Sequence, residues 1–192
     1  MKNTLLALAV TFASLTGFAQ TGKISLAKAA ELAAHRVDRL VALSKIDASF
    51  LKKLETIESK TVENAAPVVY RSVVSQTAPA AGSAMQLEIL SDVDGKPLSF
   101  KILPGGAAGP DQQWSDKDAG SLIENGMHFV LENNAKPEIA PYNNSFASLK
   151  LIKGTVGGQA VAALVVKSST QPQKLMVYLK LDGTFVSSEV LP

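Results

Sequence analysis

The sequence predicts an α+β protein, with a long N-terminal helical region and a second helix packed on antiparallel β-meander sheet. Three observations lead there. Apolar residues recur at helical spacing between residues 24 and 60. Later runs alternate apolar with polar residues and turn at Asp-Gly pairs. A helical pattern followed by such runs then occurs a second time.

Composition narrows the possibilities before any element is placed. A chain of 192 residues suffices for one ordinary domain or two small ones. Hydrophobic residues at 46% and charged residues at 19% exclude wholesale disorder. A formal charge of +2 offers no basic field for a phosphate backbone, so no nucleic-acid partner is expected. The absence of cysteine excludes disulfides, thiolate chemistry, cysteine-bound metals and lipid attachment at cysteine. Only His35 and His128 represent histidine, too few for a histidine-rich metal site. Neither a metal nor a cofactor is expected.

Residues 1–19 read as a signal peptide. Lys2 precedes the apolar run Leu5–Ala13, and Gly17 and Ala19 satisfy the small-x-small rule for cleavage after Ala19. The run is shorter than the roughly 20 residues a membrane span requires. No later stretch approaches that length, so no transmembrane segment is expected in the mature chain. A periplasmic or secreted bacterial protein follows as the expectation.

Residues 24–60 are helical in pattern. Leu26, Ala30, Ala33, Val37 and Leu40 form one stripe, and Leu43, Ile46, Phe50, Leu54 and Ile57 form a second. One unbroken helix of that length would reach about 54 Å, wider than such a domain. The phase slip near Lys45–Asp47 therefore marks a break. Pro67 ends the helical region. The β-branched run Val68–Gln76 predicts a strand, and residues 77–83 a loop. Two more strands, about 85–93 and 98–103, flank Asp94-Gly95, which predicts a two-residue type I′ hairpin. Residues 105–110 carry only Gly, Ala and Pro and form a linker. A helix over about 116–131 follows, capped by Ser115. Residues 133–144 read as loop, broken by Pro137 and Pro141. Strands are expected at about 146–153, 159–168, 173–181 and 184–190, the last pair turning at Asp182-Gly183. The run Val161–Val166 is apolar on both faces and belongs inside the sheet.

A shift of 88 residues lays 85–104 on 173–192 without a gap. Asp94 meets Asp182, Gly95 meets Gly183, and Leu87 meets Leu175. The inward positions agree in parity, and a one-residue slip would reverse every side chain. Glu31-x-x-x-His35-x-Val37 likewise resembles Glu124-x-x-x-His128-x-Val130. Internal duplication divides the chain into a first α-β meander unit at 20–104, the linker, and a second unit at 111–192. The two units pack as one domain or stand as two. Two unrelated hairpins with common turn chemistry are the other reading.

The helix beginning Ile24-Ser25-Leu26-Ala27-Lys28 and the closing run Leu175–Val186, with Asp182-Gly183 at its tip, resemble a PepSY-type module. That resemblance implies an exported bacterial binding or inhibitory domain, occurring in tandem and linked to protease regulation. The family's Asp-x-x-Thr-Gly close is absent after Val190, and the helical region is longer than one module needs.

Residue chemistry points to no reaction. No G-x-S-x-G nucleophile elbow is present, and the glycine-rich linker lacks the Gly-Lys-Ser/Thr ending of a phosphate loop. Asp92-Val93-Asp94-Gly95 lacks the further ligands of a calcium loop. Glu31/His35 and Glu124/His128 are i,i+4 pairs that support their helices. Trp114, the sole tryptophan, lies in a polar segment beside the linker and is the candidate binding residue. The expected function is a non-enzymatic exported binding or inhibitory module for a protein or peptide ligand, with a protease as one such partner. The alternative is a periplasmic carrier holding a lipid or small apolar ligand between helix and sheet.

Overall fold

Ser25 opens the first helix, α1 (Leu26–Ala42). Its hydroxyl accepts a hydrogen bond from the Lys28 amide at 3.1 Å and donates to Asn143 Oδ1 at 2.7 Å. The computed structural model that contains this cap describes residues 23–76, 85–104 and 119–192. The segment read as a signal peptide, the segment read as a linker, Ser115 and Trp114 lie outside the described residues. At its other end α1 stops where expected. Ser44 takes φ +52°, and the amides of Ser44 and Lys45 bond back to Val41 and Leu40. This is the Schellman geometry that closes a helix with a left-handed residue. Asp47 then accepts from the Ser49 amide at 2.8 Å and starts the short α2 (Ser49–Lys53).

The helical reading of the second stripe fails beyond Lys53. Leu54–Thr61 is a strand, β1. A bulge between Leu54 and Thr56 inserts one residue, so Leu54 and Ile57 both reach the core from three positions apart. That spacing imitates a helix turn. The following β2 (Tyr70–Gln76), β3 (Met85–Ser91) and β4 (Pro97–Pro104) match their predicted runs. The second half repeats the order with α3 (Ala119–Glu132), α4 (Ala140–Asn144), β5 (Phe146–Val156), β6 (Gln159–Ser168), β7 (Lys174–Lys180) and β8 (Phe185–Leu191). The segment 133–144, read as loop, contains α4. Pro141 begins that helix, at a position where a missing N–H costs nothing.

All eight strands form one antiparallel sheet in the order β4-β3-β2-β1-β5-β6-β7-β8. Two meanders therefore meet back to back through β1 and β5. The contact is short: Thr56 faces Lys150, Ile57 faces Leu149, and Glu58 faces Ser148. The registers of the two halves correspond. Leu54 faces Gln76 and Thr56 faces Ser75 across a bulge, as Phe146 faces Ser168 and Ser148 faces Lys167. Leu87 faces Ile102 as Leu175 faces Val190, and the bulges at Leu90/Ser91 and Tyr178/Leu179 coincide. An approximate two-fold axis thus passes between Ile57 and Leu149.

The helices cover one face. α1 supplies small residues (Ala27, Ala30, Ala33, Ala34) and so lies close to β1 and β2. α3 supplies Leu122, Ile123, Met127 and Val130 toward the second half. With Phe50 of α2 and Tyr142 of α4 they join Ile57, Val74, Leu149, Leu164 and Val177 in one contiguous core. Fully burying one such side chain contributes about 1.5–3 kcal/mol. As predicted, β6 lies inside the sheet and is buried on both faces.

Both Asp-Gly pairs turn hairpins, but not as two-residue I′ turns. The Asp92 amide bonds the Lys96 carbonyl and the Gly95 amide returns to Asp92. Lys180, Thr184 and Gly183 repeat this arrangement. Only the glycine of each pair has positive φ, +80° at Gly95 and +89° at Gly183. Each loop thus holds three residues, a type I turn completed by a left-handed glycine. The aspartate that would need positive φ in a I′ turn avoids that cost. The two-residue I′ geometry occurs instead at Gly157-Gly158, where φ is +57° and +79°.

A Cβ on Gly95 would collide with Leu32, and a Cβ on Gly183 with Asn125; Gly157 has open space around it. Gly95→Ala, which meets both Leu32 and Ile24, should lower unfolding free energy by more than the roughly 1–2 kcal/mol of the left-handed backbone alone, whereas at Gly183 the exposed Asn125 amide can swing aside and Gly183→Ala should cost about the backbone term. Gly157→Ala should show that backbone cost and no more. Urea denaturation of the three variants measures the difference, and a loss at Gly95 no greater than at Gly157 would contradict the close approach of the first hairpin to α1.

Candidate interaction surface

Side chains alternate across each strand, so a second set of residues faces away from the helices. In the first half this face carries charge. Arg71 Nε donates to Glu88 Oε2 at 2.5 Å across β2 and β3. Glu58, Lys60 and Lys101 stand nearby on the same face. In the second half the face is apolar at its middle. Val161 is 3% exposed, Ala163 1% and Met176 9%, although the four described helices all pack on the opposite face. On this face Ala163 is flanked by Ile152 of β5 and Tyr178 of β7. These side chains are legible in the sequence only as the outward half of an unusually apolar strand.

Two hollows lie on this face, one on each side of the approximate two-fold axis. The smaller, about 140 Å³, is lined by Glu58, Lys60, Arg71, Val73 and Ala147 among others. The larger, about 280 Å³, is lined by Thr56, Glu58, Ser148, Lys150, Lys167 and Lys174 among others. They meet at Glu58. The base of the larger hollow is fixed by an ion pair: Lys150 Nζ lies 2.7 Å from Oε1 of the buried Glu55. Glu55 occupies the β1 bulge, which brings its carboxylate to β5. At the far side, the Tyr178 hydroxyl donates to Glu189 Oε1 at 2.6 Å. That bond to a carboxylate, with some desolvation, raises the phenol above its ordinary range.

Among the described residues, those weighed for chemistry make the following contacts. Asp92 Oδ1 accepts from the amides of Asp94 and Lys96, which fixes the hairpin tip. The expected i,i+4 pairings do not form. Glu31 pairs with Lys28, His128 with Glu132 at 2.9 Å, and His35 reaches across to Glu124 of α3 at 3.6 Å. Because α1 and α3 pack side by side, Glu124 is shared between helices and not along one. Atoms of His35, Asp38 and Glu124 all lie within 4.8 Å of one another. This grouping, invisible to spacing along one helix, offers three ligand atoms at the helix–helix seam.

The outer edges are also apolar. On β4, Leu98, Phe100 and Ile102 are exposed, and Ile102 borders a solvent-open groove of about 490 Å³ beside the α1–α2 turn. On β8, Phe185 stacks on Phe129 with ring centroids 4.4 Å apart. No protein-family model, curated protein or solved structure matches this chain.

The Tyr178–Glu189 bond gives a pH test of the open face. A carboxylate accepting the phenol proton stabilises the neutral phenol, so the contribution is present at neutral pH and lost as pH rises through the raised tyrosine range. Glu189→Gln should move one tyrosine transition toward the ordinary phenol range in an ultraviolet titration. An unchanged titration would mean that the two groups do not interact in solution.

Proposed function

We propose that the protein is an exported, non-enzymatic binding or inhibitory module whose open sheet face receives a protein or peptide ligand. The observation that carries this reading is the sheet face that none of the described helices covers. It combines a hollowed centre, the partly exposed apolar side chains Ile152 and Val165 over the buried Ala163 and Met176, and charged groups at its first-half side. Interfaces typically have an apolar middle and a polar rim. The N-terminal run supports export. The resemblance to tandem PepSY-type modules supports a binding role and makes a protease a candidate partner. We also infer that the two meander units arose by internal duplication, which the matching registers and bulges support. A carrier function has less support, because contiguous side chains occupy the helix–sheet space where a lipid would lie.

Capture from periplasmic extract by the immobilised mature chain, read by mass spectrometry, tests the face. Val73→Asp and Ile152→Asp, both on the open face and checked for folding by circular dichroism, should each abolish capture of the partner. Leu43→Asp, an exposed apolar site at the end of α1, should leave it intact. Capture that survives both open-face substitutions would reject this face as the interface.

A further inference from the structure

The approximate two-fold axis allows each open-face position to be compared with its counterpart. Ser75 on β2 faces Gln86 on β3, and Gln86 donates to the Ser75 hydroxyl at 3.0 Å. The matching pair in the second half is Lys167 on β6 facing Lys174 on β7. Like charges directly opposite on neighbouring strands are destabilising. Among the described residues neither lysine has an acidic partner within ion-pair distance. The third comparison runs the same way: the counterpart of Glu58 is Lys150. Three positions that are neutral or acidic in one half are lysine in the other, and all three line the 280 Å³ hollow. A sequence that departs from its own better-paired arrangement at one spot marks that spot as functional.

Resting on the reading of this face as a protein-binding surface, we propose that the hollow between Lys150, Lys167 and Lys174 receives the carboxylates of an acidic segment of the partner protein. Glu55 holds Lys150 in place, which leaves Lys167 and Lys174 as the two groups able to close on an incoming anion. Ser148 and Thr56 place hydroxyls on the wall, Val165 supplies an apolar one, and Glu58 puts a carboxylate on the β1 side, so the positive charge is concentrated at the Lys167–Lys174 end. The cavity has the size of one or two acidic side chains. Lys167 and Lys174 are exposed at the end of the β6–β7 ladder, on the rim of a hollow whose floor is Lys150 and Val165, a concave shape that suits a protruding loop better than a bilayer surface. Charge concentrated in a cleft also raises the encounter rate with an acidic partner.

Titration of the mature chain with a hexaglutamate peptide, followed by NMR, tests the proposal. Saturable shifts should appear at residues 148–150, 165–167 and 174–176, and weaken as salt rises. Lys167→Gln/Lys174→Gln should weaken binding at least about tenfold, a loss of about 1.4 kcal/mol. Lys167→Arg/Lys174→Arg should retain it. Lys174→Glu should abolish binding and raise the melting temperature, because it replaces a repelling pair with an attracting one. A Lys174→Glu variant that melts no higher than the parent would remove the premise. Binding to vesicles containing phosphatidylglycerol without binding to hexaglutamate would overturn the proposal. So would partner capture that ignores the glutamine pair yet is abolished by Ile152→Asp, and that result would leave the binding face itself standing. Capture insensitive to every open-face substitution would instead reject the underlying reading.

Discussion

The pairing of β1 with β5 is the constraint on which the rest of the molecule depends. Three residue pairs, centred on Ile57 and Leu149, join two four-stranded meanders into one sheet. Each meander brings its own helices, and α1 packs on α3 above the junction. The core is therefore continuous across the join, with Ile57 and Leu149 both buried at its centre. A short ladder suffices because the helix layer bridges the same seam. Hydrogen bonds on one side and apolar packing on the other hold the halves in a single relation.

That relation also creates the open face. Both hollows are lined by β1 and β5, the smaller together with β2 and the larger with β6 and β7, so neither would exist in an isolated half. Glu55 and Lys150 come from different halves and meet only because the β1 bulge points toward β5. The charge difference between the halves follows from side chains alone, since the backbones share register and bulges. A nearly symmetric scaffold thus presents an asymmetric surface, charged on one side and apolar with lysines on the other.

Much of this was legible in the sequence. The alternation of Met85–Leu103 and Leu175–Leu191, with Asp-Gly between the runs, located both outer hairpins and their matched register. Leu26 to Leu40 defined α1 and its end. What escaped has physical causes. The bulge at Glu55 gave β1 the spacing of a helix, and no local pattern distinguishes the two. The hairpin type depended on whether the aspartate could avoid positive φ, and a three-residue loop let it. The partner of His35 lay on the other helix. The lysine pair of the candidate site was unreadable because Lys167 and Lys174 become neighbours only through the β6–β7 register. The one residue the sequence did nominate, Trp114, lies outside the described residues.

Native-state hydrogen exchange across the junction tests this account most directly. Amides of residues 56–58 and 148–150 that are bonded across the seam should exchange only through global unfolding, with the same free energy as the interior of β2 and β6. A single cooperative transition for both halves should accompany this. Faster exchange at the β1–β5 seam than within either meander, with the two halves unfolding separately, would contradict it.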